Sequence, residues 1–164
     1  MAKEVTAIYP GSFDPVTNGH VDIIGRSQGI FDRVIVAVLV NIEKTPFFTT
    51  DERLEMLREV TGKWDNVQIE TFQGLLVNYA VAQKAQVILR GIRAVTDYEY
   101  EFQMALMNRR MQPGIETVFM VPAEEYTYLS SKLVKEIFLL GGSVEGIVPS
   151  VVEDFLNKKK TKTG

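Results

Sequence analysis

Val34-Ile35-Val36-Ala37-Val38-Leu39-Val40 is apolar without interruption and rich in β-branched residues. A strand with one wet face alternates apolar and polar residues. An unbroken run of this kind suits a strand covered on both faces, as in a parallel sheet between layers of helices. The rest of the chain should then alternate short strands with helical segments.

It does. Further strands are expected at 5–9, closed by Pro10-Gly11, and at 67–72, 87–89 and 117–121, the last stopped by Pro122. A helix capped by Thr17 or Asn18 should follow the first strand, with Val21 and Ile24 inward. After an irregular piece at 41–48, Thr49 and Glu52 form a capping box, and Leu54, Leu57 and Thr61 continue one face. Leu75 to Ala82 reads as a helix. Thr96 to Glu99 reads as a second capping box, opening a helix to about Met111 in which Tyr98, Phe102, Ala105 and Leu106 face the core. Ser130-Ser131 caps a helix that Gly141-Gly142 ends, and a last short helix starts at Pro149-Ser150. The lysine-rich tail from about 158 is expected to be frayed. With no repeat and no linker, the expectation is a single domain over 1–164: an α/β, doubly wound, Rossmann-like five-stranded parallel sheet with helices on both faces.

Composition narrows the chemistry. With 164 residues and a net charge of −3, broad attraction to nucleic acid is not expected. There is no cysteine, which removes disulfides and thiolate metal sites, and a single histidine removes a multi-histidine zinc site. Any metal should be a hard cation such as Mg²⁺ held through substrate phosphates, with no direct side-chain ligand assigned. No signal peptide and no run long enough to span a bilayer is visible, so no membrane partner is expected and a cytoplasmic location is.

The strand ends carry the functional signal, because ligands of such sheets bind outside the carboxyl ends of their strands. Gly11-Ser12-Phe13 follows the first strand and leads to Thr17-Asn18-Gly19-His20 at a helix start, an arrangement that presents free N–H groups to an anion. His20, three residues from Thr17, can aim a donor at that anion as neutral ring or cation. Lys44 follows the second strand, Arg90 and Arg93 the fourth, and Ser130-Ser131 the fifth. Two arginines around Gly91 suit forked contacts to phosphate. Glu101, Met104 and Asn108 share a face of the long helix and could line a pocket; a solvated face fits the spacing equally.

Taken together, these residues resemble the phosphopantetheine adenylyltransferases of the nucleotidyltransferase superfamily. The anchors are Tyr9 to Pro15 with Thr17-Asn18-Gly19-His20, Arg90 to Ala94, Asp97 to Glu101, Met107 to Arg109, and Leu129 to Ser131 with Val134 to Glu136. Lys132 and Lys135 stand where the wider superfamily signature has Thr and Arg. The resemblance implies transfer of AMP from ATP to 4′-phosphopantetheine, giving dephospho-CoA and pyrophosphate. It implies Mg²⁺ with the nucleotide and a cytoplasmic homohexamer. It further implies that His20, Lys44 and Thr17 serve catalysis and that Ser12, Lys44, Leu76 and Arg90 meet phosphopantetheine, with Asn108 a further pocket residue. Ser12, Phe13, His20, Gly91, Ile92, Arg93, Glu101, Tyr126, Thr127, Tyr128, Leu129, Ser130, Ser131 and Lys132 would meet ATP.

The implied chemistry suits the residues. The attacking phosphate is already ionised, so alignment and charge neutralisation suffice without a general base. A sister enzyme with another phosphate acceptor and a non-catalytic nucleotide sensor are the competing expectations. The apolar side formed by Leu75, Leu76 and Met104 favours a pantetheine arm over the first. A transition-state donor at His20 speaks against the second.

Overall fold

The apolar run at 34–40 lies in the middle of the molecule: Val34, Ile35, Val36, Ala37 and Val38 are fully buried. In the computed structural model, which describes residues 2–42 and 44–162, it forms β2 (Arg33–Leu39). With β1 (Thr6–Gly11), β3 (Val67–Phe72), β4 (Val87–Gly91) and β5 (Glu116–Met120) it makes one five-stranded sheet in the order β3-β2-β1-β4-β5. Every neighbouring pair is parallel. Residue 43, within the irregular 41–48 segment, lies outside the described residues.

The helices are α1 (Asn18–Ser27), α2 (Thr50–Thr61), α3 (Leu76–Ala82), α4 (Val95–Met111), α5 (Ser131–Leu139) and α6 (Ser150–Lys162). Because strand side chains alternate, Val34, Val36 and Val38 pack with Ile24, Leu57, Val134 and Val152 on one face. Ile35 and Ala37 pack with Ile8, Ile88, Val77 and Ala80 on the other. Truncating Ile35 to Ala would cost about 2–5 kcal/mol through lost transfer energy and the cavity left behind.

The strand order reverses between β1 and β4, which is where an open α/β sheet offers a crevice. The register shows how it opens. β1 pairs with β2 from Thr6 through Gly11, but with β4 only at Ala7 and Ile8. Beyond Ile8 the two strands no longer pair, and Arg90 Nη1 donates to the Pro10 carbonyl at 3.1 Å across the gap. Pro10, with no N–H to give, sits where β4 no longer needs one.

Three sequence expectations are corrected. First, Thr96 does not cap α4. The helix already begins at Val95, with Ala94 as its N-cap and no side-chain bond, so Thr96 lies inside it, while Asp97 accepts from the Arg93 backbone and guanidinium. The Thr49–Glu52 box does form. Second, the two faces of α4 are exchanged: Tyr98, Phe102 and Leu106 are exposed, while Glu101 and Asn108 are buried. The inward face lines open cavities rather than closed apolar core, Asp97 and Glu101 a polar one and Glu101, Met104 and Asn108 a more apolar one. Third, the lysine-rich tail is helical through Lys162. Lys159 pairs with Glu52 and lies over the rings of Phe47 and Phe48, which gives the tail something to hold. The strand bounds also shift, since β1 and β4 run on through Gly11 and Gly91.

Candidate active site

The loop after β1 is shaped by side chains that bond backbone. Thr17 caps α1, and His20, at the third helical position, completes the capping box through its ring: Nδ1 accepts from the Thr17 N–H at 3.0 Å. A ring whose Nδ1 accepts carries its proton on Nε2 when neutral. Nε2 has no partner among the described residues, and His20 lines a cavity. Burial lowers the His20 pKa to about 4, assisted by the positive charges of Arg93 and Arg90. Near neutral pH the ring is therefore an uncharged donor. Phe13 packs edge-on to it, with centroids 5.0 Å apart, and adopts φ +47°, a region costly for a residue with a Cβ.

That turn is held from outside. Asp14 accepts from the backbone N–H groups of Phe47 and Phe48, each at 2.8 Å, and pairs with Lys135 at 3.5 Å. The buried Arg53 donates to the Ser12 carbonyl at 2.9 Å. Two anchors thus tie the loop to the segment before α2 and to α2 itself.

The arginines after β4 are engaged within the fold. Arg90 meets Glu101 through both Nε (2.7 Å) and Nη2 (2.6 Å). Burial works against its charge, but the Glu101 pair more than compensates and its pKa is raised. Arg93 donates to the Leu129 carbonyl at 2.6 Å and to Asp97. The free forks expected from sequence are therefore committed to carboxylates, which fix both guanidinium groups beside the crevice. Ser130 caps α5 by accepting from Leu133 N–H, and Ser131 Oγ donates to the Pro15 carbonyl. These bonds bring the α5 N-terminus up to the β1 loop.

Three cavities meet here. The first, about 250 Å³, is lined by Phe13, Thr17, His20, Arg90, Gly91, Arg93, Glu101, Tyr126, Leu129, Ser130 and Ser131 among the expected residues. The second, about 420 Å³ and more apolar, holds Ser12, Leu76, Arg90 and Asn108, with Met104 and Leu75 in its wall. It shares Pro10, Gly11, Arg90 and Glu101 with the first. Lys44 lines neither. It lies in a third opening of about 390 Å³ with Asp14, Arg53 and Lys135, which joins the second at Ser12 and Leu39 and the first at Ser131. Ile92, Thr127, Tyr128 and Lys132 line none of the three.

Sequence reasoning missed Tyr9, Asp97 and Pro122 in the first cavity and Arg53 in the third. Asp97 had a readable signal, four residues after Arg93 across the start of a helix. Arg53 had none, being one of several charges on an amphipathic helix.

A parallel sheet opened at its switch point, with a helix-capping histidine at the opening, is the frame of a nucleotide-handling α/β protein. Residues 8–137 match the cytidylyltransferase-like family, and the chain is a nucleotidyltransferase of that class. It is 51% identical over 158 residues to a phosphopantetheine adenylyltransferase of Carboxydothermus hydrogenoformans, covering 96% of this chain and 98% of that one. Identity is 52% over 161 residues to that of Desulfatibacillum aliphaticivorans (98% and 92% covered) and 52% over 158 to that of Thermodesulfovibrio yellowstonii (96% and 98%). The chain belongs to the phosphopantetheine adenylyltransferases.

Proposed function

We propose that this chain transfers AMP from ATP to 4′-phosphopantetheine, with pyrophosphate and dephospho-CoA as products, and that His20 Nε2 is the donor at the point of transfer. The observation that carries the reading is the joint between the first two cavities. A polar cavity with an unpartnered neutral donor opens, through Gly11 and Arg90, into an apolar one large enough for a pantetheine arm.

The nucleotide occupies the first cavity. Its distal phosphates meet the N-terminus of α5 at Ser130 and Ser131, where unpaired N–H groups favour negative charge. Phe13, Gly91, Arg93, Glu101, Tyr126 and Leu129 enclose the rest. The acceptor lies in the second cavity, its arm against Leu76 with Asn108 and Ser12 beside it. Its phosphate points to the joint at Arg90, where Lys44 adds charge from the third opening. A phosphate ester is ionised near neutral pH, so attack on the α-phosphorus needs no proton removed. Donation from Nε2 strengthens as charge gathers on the oxygens around that phosphorus, which is how a fixed donor lowers a barrier. Thr17 keeps the ring in the donating tautomer.

Among the described residues no group of three or more His, Asp or Glu side chains could hold a metal ion. The carboxylates of Asp97 and Glu101 are taken by arginines. Mg²⁺ is proposed as a companion of the nucleotide phosphates, where it would offset their charge. The apolar side chains exposed on α4 support assembly of copies, for which a homohexamer is the proposed state. No helix among the described residues is long and apolar enough to cross a membrane, and the cytoplasm is the proposed location. The test is pyrophosphate release from ATP and Mg²⁺ with a panel of phosphate acceptors. Release with phosphopantetheine alone is expected. Release with a different acceptor, or with none, would overturn the assignment.

A further inference from the structure

The first cavity contains a second hydroxyl-bearing ring that the reaction as described does not use. Tyr9, near the end of β1, is only 5% exposed, yet it forms part of the cavity wall. Its ring packs edge-on to Phe13, with centroids 5.4 Å apart, and lies 6.4 Å from the His20 ring. The hydroxyl reaches toward β4: a Cβ placed on Gly91 would lie 3.7 Å from it. It has no hydrogen-bond partner among the described residues.

The neighbouring polar side chains differ in this respect. Arg90 is held by Glu101, Arg93 by Asp97 and the Leu129 carbonyl, Ser130 by Leu133 N–H, and Ser131 by the Pro15 carbonyl. Tyr9, like His20 Nε2, has no partner for its donor among the described residues on this wall. The hydroxyl is open to the cavity and not sealed in the core, since among the described residues Arg53 Nε is the one buried side-chain polar atom left without a partner, so a ligand there can accept its hydrogen bond.

We infer that the Tyr9 hydroxyl is a nucleotide-binding donor, giving its proton to an oxygen of the bound nucleotide on the floor of the cavity between His20 and Gly91. Burial raises the pKa of this phenol well above its usual value, so it remains a donor throughout the physiological range. Two neutral donors, with the Arg90 and Arg93 charges behind them, suit an oxygen-rich anionic ligand. This inference rests on the nucleotide-transfer reading above.

The experiment is Tyr9→Phe, with calorimetric titration by ATP and Mg²⁺ in the absence of any acceptor, alongside thermal unfolding of the unliganded protein. Loss of one hydrogen bond should weaken ATP binding about 5- to 10-fold. The melting temperature of the free variant should stay close to that of the wild type, because no bond within the fold is lost. Equal ATP affinity in the two proteins would overturn the inference and leave the adenylyl-transfer reading standing. A clear fall in the variant's unliganded melting temperature would also overturn it, since the hydroxyl would then be satisfied within the fold. Failure of the wild type itself to bind ATP would remove both.

Discussion

At the scale of the residue, His20 owes its protonation state to its backbone neighbour. The Thr17 N–H occupies Nδ1 and burial disfavours the cation, leaving Nε2–H as an uncharged donor. His20→Gln keeps a group able to accept from the N-cap backbone at the same helical position, while moving the donor off the proposed transfer point. Turnover should fall about 100- to 1,000-fold, as for loss of an oxyanion donor, with ATP affinity nearly unchanged. Single-turnover kinetics beside ATP titration measures both. The ring also predicts a pH dependence of stability. Its folded pKa of about 4 lies below the unfolded value of 6.5, so the unfolded chain binds more protons between them. The stabilisation is complete above pH 6.5 and is lost as pH falls toward 4. Melting temperatures from pH 7 down to 4.5 should therefore drop more steeply for the wild type than for His20→Gln; parallel curves would refute the neutral-ring assignment. The pairing of Thr17 with His20 was legible from their spacing, but the tautomer was not. It depends on ring orientation, and the neutrality of the ring depends on burial and on Arg93 and Arg90, about seventy residues away in the chain. That the arginines stand at the strand end beside the crevice was legible, whereas their carboxylate partners are recognisable only once α4 is laid across it.

At the scale of the element, capping separates what local sequence determines from what tertiary contacts override. Thr49 and Glu52 satisfy each other's backbone groups as their spacing predicts. Thr49→Ala should cost about 1 kcal/mol in urea unfolding. Thr96→Ala, at the superficially identical Thr-x-x-Glu, should change stability by less than about 0.5 kcal/mol, since α4 already begins at Val95 and Thr96 caps nothing. The reversal on α4 has the same origin. Hydrophobic periodicity identifies the face that seeks burial, and it assigned Tyr98, Phe102 and Leu106 to the core. The helix instead presents Glu101 to Arg90, because a half-buried guanidinium needs a counter-charge more than the crevice needs another apolar wall. Glu101→Ala would leave Arg90 unpaired and should destabilise the protein by about 2 kcal/mol, less than a fully buried pair because solvent reaches part of it.

At the scale of the whole molecule, the parallel sheet was legible from the unbroken apolar run and the alternation of elements. Its strand order was not, because nothing local records that the chain crosses back over β1 after β3. What the sheet leaves uncovered is informative: Tyr98, Phe102, Leu106, Met107 and Met111 form exposed apolar surface along α4. Patches of that kind mark association sites. Sedimentation should show a multimer, and Phe102→Glu with Leu106→Glu should lower its mass while far-UV circular dichroism stays unchanged.

The seam between β1 and β4 sets an order of assembly. Its bonds, Thr6 N–H to Gln86 and Arg90 to Pro10, each join residues 80 apart in the chain. Loop-closure entropy alone leads us to expect such distant pairings to close after the nearer β1–β2–β3 contacts. A growing chain that has not reached Val87 can form those strands and cap α1 with His20, yet it has no Arg90, no Gly91 and no far wall for a nucleotide. Nucleotide affinity is therefore acquired at the end of folding, and ATP bound to a nascent or truncated chain reports that the second half has docked.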